Sequence, residues 1–172
     1  DPSDQLNPLH INGVGPSRNW APTRFMHDFL VRPDPNLQAT GWAASEWNWS
    51  DDTTVTFNLK EGMTFHDGEP VTASDVKWTF DMIMETEPPA YLNSVVDVVD
   101  SVEMEDDLTV TFNLQNAYVP FILITAATTP ILPEHYWTQL MEDTGNTDQP
   151  WTINIGNDQP IVASGPFQWG EW

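Results

Sequence analysis

The side chains of this 172-residue chain that could do chemistry are four histidines and 26 carboxylates, and the chain has no cysteine. The lack of cysteine excludes thiol catalysis, disulfides and thiolate metal sites. The local group that most resembles a metal site is His66-Asp67, with Glu69 close behind. Gly68 closes a turn at this point, so we interpret the group as a hydrogen-bonded turn and predict no metal and no cofactor.

The carboxylates show no arrangement typical of catalysis. Glu103, Glu105, Asp106 and Asp107 lie close together, but they lack the regular spacing and the turn glycine of a calcium-binding loop. An acid pair for glycoside hydrolysis cannot be told apart among 26 candidates. The sequence also has no His-Glu-x-x-His motif and no glycine-rich phosphate loop. It therefore predicts a protein that is not an enzyme.

The formal net charge of the chain is −21, from 26 acidic and five basic side chains. So few basic residues leave no patch for phosphates, which excludes nucleic acid as a partner. With 40% hydrophobic residues, nine Trp and eight Phe, the chain can still bury a core and fold. Because salt screens the repulsion between carboxylates, we expect a protein of a salt-loving organism that works in brine; an acidic surface in ordinary salt is the alternative.

A nine-residue segment occurs twice in the chain. Asp51–Leu59 and Asp106–Leu114 agree at eight of nine positions. In both copies Val, Phe and Leu alternate with Thr and Asn, which is the period of a strand with one buried face. Another alternating segment precedes each copy, at 46–49 and at 95–104. Two similar β-hairpins in a mainly antiparallel sheet are therefore predicted.

Helical patterns lie between and around these strands. Thr72 and Asp75 form a capping box that begins a helix, and Pro88 ends it. The buried stripe of this helix is predicted to be Val76, Phe80, Ile83 and Met84. Further helices are predicted over 23–31, 120–128 and 134–141.

The last segment of the chain, Gly165–Trp169, alternates like the start of a strand. A strand needs a neighbour to pair with, and the sequence offers no obvious one. We therefore expect this chain to be a piece of a longer protein.

Four motifs occur in an order that resembles one protein family. Asn7-Pro8-Leu9 is similar to an LDP segment, and 60–68 (KEGMTFHDG) to a strand end followed by Gly and then Phe-His-Asp-Gly. Next, 70–76 is similar to a P-T-A-D-V helix start, and Ser164–Phe167 to a GTGPY strand. Together they resemble the family 5 extracellular solute-binding proteins of ABC importers, over nearly the whole chain.

The resemblance implies an α+β (mixed α/β) fold, a periplasmic-binding-protein type II-like lobe from a larger three-domain protein. Residues 1–22 would be the opening segment of the first lobe. Residues 23–150 would be a small inserted domain that holds both hairpins and the helices, and 151–172 the return strand into the first lobe. The remaining domains of the same full-length protein, including the one that closes over the ligand, would lie outside this chain.

The resemblance also implies a function. The chain would belong to the substrate-binding component of an ABC importer, which captures oligopeptides or dipeptides outside the cell and delivers them to a membrane permease. Oligosaccharides and nickel chelates are alternative solutes, and a carbohydrate-active or sensor domain that reuses the fold is a further alternative. The location would be extracellular, at the cell surface, with a lipidated N-terminal anchor that this chain does not contain.

The ligand contacts follow from the same resemblance. In peptide-binding members, the extended segment after the LDP motif lines the cleft and offers backbone groups to the ligand; by position this is Asn12-Gly13-Val14. Tyr91 in the inserted domain is a further candidate. Glycine permits close approach of another backbone, and a backbone clamp holds a peptide without reading its side chains. Turn geometry alone is the alternative role for the glycine.

The charge of the chain generates a prediction about stability. We expect the melting temperature to rise steeply as NaCl is raised from 0.1 to 2 M, because the Debye length falls to about 3 Å at 1 M salt and carboxylate repulsion is then screened. Differential scanning calorimetry measures this rise. Sucrose at matched osmolality is the control, since it strengthens burial without screening charge. A melting temperature that does not change with NaCl contradicts the adaptation to brine.

Overall fold

The structure is a computed structural model that describes residues 7–9, 24–86, 88, 90–153, 155 and 161–168. Its strands are β1 (Val31–Pro33), β2 (Ala39–Gly41), β3 (Ala44–Trp49), β4 (Thr54–Leu59), β5 (Val99–Asp106) and β6 (Thr109–Leu114). Its α-helices are α1 (Ala73–Glu85), α2 (Asn93–Val96) and α3 (Glu134–Thr144). Short 3₁₀ turns occupy Ala90–Leu92 and Pro150–Thr152, and a π-helix occupies Phe121–Ala126.

The four longer strands form one antiparallel sheet in the order β3-β4-β6-β5. Strands β1 and β2 pair separately as a short antiparallel ribbon across the turn at Pro35-Asn36. The predicted fold class, a mixed α/β lobe with an antiparallel sheet of two similar hairpins, is confirmed.

The two near-identical strands β4 and β6 lie side by side at the centre of the sheet. Thr56 faces Thr111, which is its own counterpart 55 residues later, and the two hydroxyl oxygens are 2.7 Å apart. On either side Val55 faces Phe112 and Phe57 faces Val110. These pairs exchange under a half turn, so a local two-fold axis passes between the two threonines.

The outer strands follow the same axis. Trp47 pairs with Phe57 in the first hairpin, as Val102 pairs with Phe112 in the second. In both hairpins the register shifts at the same place, between Ala44 and Glu46 and between the equivalent positions 99 and 101. The repeat in the sequence is therefore a duplicated hairpin that includes its bulge.

One face of this sheet is buried and the other is polar. The Val, Phe and Leu side chains of β4 and β6 are at most 5% exposed, as the alternation predicts. Four rings pack at their centre: Phe112 lies 4.8 Å from Phe80 of α1, 5.4 Å from Phe121 and 5.6 Å from Phe57, between ring centroids. Helix α1 and the π-helix thus close the core over the sheet.

Helix α1 begins as predicted. Thr72 is the N-cap, and its backbone N–H donates to Asp75 Oδ2 at 2.9 Å, one arm of the capping box. The predicted stripe is buried at Val76, Phe80 and Ile83. Within the described residues, no helix is long and apolar enough to cross a membrane.

The predicted helix over 23–31 is wrong. Among the described residues 24–31, only 24–26 is helical, and the chain then extends into β1. The carbonyl oxygens of Phe29 and Leu30 accept hydrogen bonds from Ala43 at 2.9 Å and from Trp42 at 3.1 Å, so partners distant in sequence replace the helical ones. The apolar spacing was compatible with both states, and burial among tertiary neighbours decided for the extended one.

The strand expected from Gly165 onwards does not form within the described residues 161–168. This segment instead makes backbone hydrogen bonds to two different parts of the chain. Ala163 O accepts from His66 N at 2.7 Å, and Gly165 N donates to Met26 O at 2.6 Å.

The ring cluster generates a prediction about stability. Phe112→Ala should lower the free energy of unfolding by about 4 kcal/mol, because it removes a ring that contacts three others in a closed core. Phe167→Ala is the matched control: this ring is 60% exposed and contacts Phe25 alone among the described rings, so the loss should stay below about 1.5 kcal/mol. Urea unfolding at fixed salt measures both, and equal losses contradict the core assigned here.

Candidate functional site

The predicted ligand-contact residues lie largely outside what the structure describes. Asn12, Gly13 and Val14 are outside the described residues, and Tyr91 is described in its backbone only, within the 3₁₀ turn Ala90–Leu92. These assignments therefore stay predictions. The structure instead shows how the chain just before Asn12 is held.

The opening segment is fastened by Asn7. This side chain is 1% exposed, and its Nδ2 donates to Pro150 O and to Ile153 O, each at 2.9 Å. Its Oδ1 accepts from Leu9 N at 2.8 Å, and Leu9 is fully buried. A short polar side chain that serves its own backbone and a distant segment explains the Asn7-Pro8-Leu9 motif physically.

Three segments that are distant in sequence meet at a buried seam: 24–33, 65–68 and 161–168. Gly165 stands where they touch, because a Cβ on this residue would lie 2.5 Å from the carbonyl carbon of Met26. A side chain cannot replace this glycine without moving the backbone. The close approach explains the glycine in the Ser164–Phe167 motif.

His66 is part of the seam. Its Nε2 lies 2.8 Å from Gly165 O, and a carbonyl oxygen only accepts, so Nε2 carries the proton. Asp67 turns the other way and pairs with His135 at 2.7 Å. The turn interpretation of His66-Asp67 is therefore confirmed. Among the described residues, no three His, Cys, Asp or Glu side chains come together in a group that could hold a metal ion.

His27 lies deeper in the same seam and is 1% exposed. Burial, together with the nearby His66, lowers the pKa of His27 to about 3, so its ring is neutral at physiological pH. The sequence analysis did not single it out, although a histidine and an aspartate flanked by Met26 and Phe29 were a usable signal of buried polar groups.

Asp28 links the seam to an aromatic ring and a cation. The Trp42 indole N–H donates to Asp28 Oδ1, and the Arg32 guanidinium lies 3.5 Å from the centroid of the Trp42 ring. Burial raises the pKa of Asp28, while the bond from Trp42 and the charges of Arg32 and His66 oppose the rise. The Trp42 indole thus contacts the Arg32 guanidinium with its face and the Asp28 carboxylate with its N–H.

An open groove of about 600 Å³ lies between the starts of α1 and α3. Its polar groups already have partners in the chain: Ser74 Oγ donates to Glu134 Oε2 at 2.7 Å, and Asp75 Oδ1 accepts from Glu134 N at 3.1 Å. These bonds join the two helix starts. The groove therefore serves packing better than it serves a ligand.

A depression of about 400 Å³ lies beside the turn of the first hairpin. We call it the Trp49 depression; it is lined by Trp49, Asp51, Asp52, Ala117, Tyr118 and Val119. It combines two aromatic side chains with two carboxylates, and none of its described lining residues is basic. Tyr118 stands 69 residues after Trp49 in the sequence, so no local motif could have predicted this meeting.

The burial of His27 generates a prediction about pH. The unfolded chain takes up a proton at this histidine near pH 6.5, whereas the folded chain takes it up only near pH 3. The unfolded state binds more protons between these values, so stability falls as the pH is lowered, by about 1.4 kcal/mol per pH unit for one proton.

Urea unfolding at pH 4 to 7 measures this contribution. His27→Gln should reduce the pH dependence of the free energy of unfolding by about 1.4 kcal/mol per pH unit, because glutamine does not titrate. An unchanged slope in His27→Gln contradicts a buried neutral His27.

Three known proteins are similar to this chain. Protein XP55 of Streptomyces lividans is 34% identical over 170 residues, which cover 98% of this chain and 28% of that protein. The probable peptide-binding protein YejA of Agrobacterium fabrum is 30% identical over 171 residues, which cover 96% of this chain and 26% of that protein. The structure of the oligopeptide-binding protein AppA of Bacillus subtilis, in complex with a nonapeptide, aligns with a TM-score of 0.82 at 23% identity. The alignment covers 98% of this chain and 32% of AppA.

This chain thus spans about a quarter to a third of the length of the relatives that it matches. Residues 38–172 match the model of the bacterial extracellular solute-binding proteins, family 5 Middle. The matched range includes both hairpins, the His66 turn, α1 and the Gly165 contact. The chain belongs to the family 5 bacterial extracellular solute-binding proteins.

Proposed function

We propose that this chain is the N-terminal part of the solute-capturing component of an ABC importer. The observation that carries the proposal is the family match over 38–172. The family is one of solute-binding, non-enzymatic transport proteins that act outside the cytoplasm. The solute would be an oligopeptide or dipeptide and the protein partner a membrane permease. AppA, whose structure is in complex with a nonapeptide, and YejA, named a probable peptide-binding protein, support the peptide.

The division of the chain into 1–22, 23–150 and 151–172 belongs to the same proposal. Asn7 supports it, because this side chain bonds to Pro150 O and Ile153 O and so ties the opening segment to the return segment. The inserted domain between them holds the sheet and α1. The remaining domains of the longer protein would close over the solute.

The solute contacts would come from the segment after this anchor. Asn12-Gly13-Val14 begins three residues after Leu9, whose position is fixed by burial and by its bond to Asn7. Such support would make the cleft wall more rigid, so less conformational entropy would be lost when the solute binds. Backbone groups of Gly13 would bind the peptide chain, and Tyr91 would add a contact from the inserted domain.

The surroundings of the protein complete the proposal. It would work outside the cell, held at the membrane through a lipidated N-terminus. The charge of −21 suits a brine in which repulsion between carboxylates is screened.

The experiment that tests the function is calorimetric titration of the longer protein that carries this chain. In molar salt we expect oligopeptides of two to nine residues to bind at micromolar concentrations or below. The 172-residue chain alone should bind them at least about a hundredfold more weakly, because it offers one wall of the cleft without the domain that closes it.

Mannooligosaccharides and a nickel chelate are the ligand controls. Tighter binding of either than of any peptide contradicts the peptide assignment, and hydrolysis of a bound ligand contradicts the assignment as a binding protein. If the 172-residue chain and the longer protein bind peptides with equal affinity, the cleft is not divided between this chain and the remaining domains.

A further inference from the structure

We propose that the Trp49 depression is a second binding site, for an organic cation of the guanidinium type. The proposal does not depend on the solute that the longer protein transports.

The shape and lining of the depression suit a small ligand. Its volume of about 400 Å³ lies in the range of small-molecule sites. Trp49 forms one side and is held by the core, with its ring 6.2 Å from Phe121 in an edge-to-face arrangement. Tyr118 is half-buried, and its carbonyl oxygen accepts from Phe121 N at 3.0 Å. The core residue Phe121 therefore holds Trp49 through its ring and Tyr118 through its backbone.

The electrostatics of the depression favour a cation. The Asp51 carboxylate accepts hydrogen bonds from Thr53 N at 2.7 Å and Thr53 Oγ1 at 3.0 Å, and these bonds lower its pKa and fix its position. Asp52 is exposed beside it. Aromatic faces attract cations as well, so all four polar or aromatic lining side chains favour the same sign of charge. A neutral sugar could contact the two aromatic rings, but it would give the Asp51 and Asp52 carboxylates no positive partner.

The chain itself shows the geometry of such a complex. At the seam, the Arg32 guanidinium lies 3.5 Å from the Trp42 centroid, and the Trp42 indole is bonded to Asp28. Indole, guanidinium and carboxylate therefore already pack together in this protein. The Trp49 depression offers an indole and carboxylates, and among its described lining residues there is neither Arg nor Lys.

The duplicated hairpin provides an internal comparison. The turn that corresponds to Asp51-Asp52 in the second hairpin is Asp106-Asp107, and there Asp107 O accepts from Ala73 N at 2.8 Å, so the backbone of this turn is joined to the start of α1. The first turn borders the depression instead, and Val119 at its edge is 93% exposed. All four carboxylates are exposed, so the two turns carry the same charge and differ in what lies beside them.

The test is a titration with arginine amide, followed by NMR of the Trp49 indole N–H, at a fixed salt concentration at which the chain is folded. Citrulline amide is the probe control, because it keeps the shape of arginine without the side-chain charge. We expect arginine amide to shift the Trp49 signal with a millimolar dissociation constant, and citrulline amide to bind at least about threefold more weakly.

Matched variants separate this site from general attraction to an acidic protein. Asp52→Asn should weaken arginine amide binding about threefold to fivefold, the contribution of an exposed ion pair, and Tyr118→Ala should weaken it by a similar factor. Asp107→Asn makes the same charge change on the equivalent turn and should leave the affinity unchanged. Equal weakening in Asp52→Asn and Asp107→Asn, or equal binding of citrulline amide, overturns the proposal.

Discussion

The pairing of β4 with β6 is the constraint on which the rest of the sheet depends. Two copies of one segment lie antiparallel with Thr56 against Thr111, and the axis between them relates both hairpins and both bulges. A shift of this register by one residue would turn the Val, Phe and Leu side chains of one of the two strands to the polar face. The register is therefore held by burial on one side and by threonine and asparagine contacts on the other.

The seam joins segments that lie outside the four-stranded sheet, namely 24–33, 65–68 and 161–168. His66, Gly165 and Met26 are joined by short backbone and side-chain contacts, and Asn7 connects the opening segment to Pro150. The family motifs at Asn7, His66 and Gly165 thus serve as contacts between distant parts of the chain. This is a positioning role, which needs no reactive group.

The few cations of this acidic chain have defined places in the described structure. Arg24 lies 5.1 Å from the Phe29 ring centroid and donates to Ala127 O, Arg32 stacks on Trp42, and Lys77 pairs with Asp81 at 2.5 Å. The hairpin turns carry carboxylates instead. An aromatic depression at such a turn therefore presents negative charge to solvent.

The sequence by itself determined the repeated strands, the capped helix at Thr72, the turn at His66 and the family, because alternation, capping and turn chemistry are local. It misassigned 23–31, where one apolar spacing fitted two states, and it could not show that the two hairpins share an axis. Only the tertiary structure brought Tyr118 to Trp49 and buried His27 beside His66. Such contacts depend on how segments about 40 to 70 residues apart pack, and no local pattern in the chain records that.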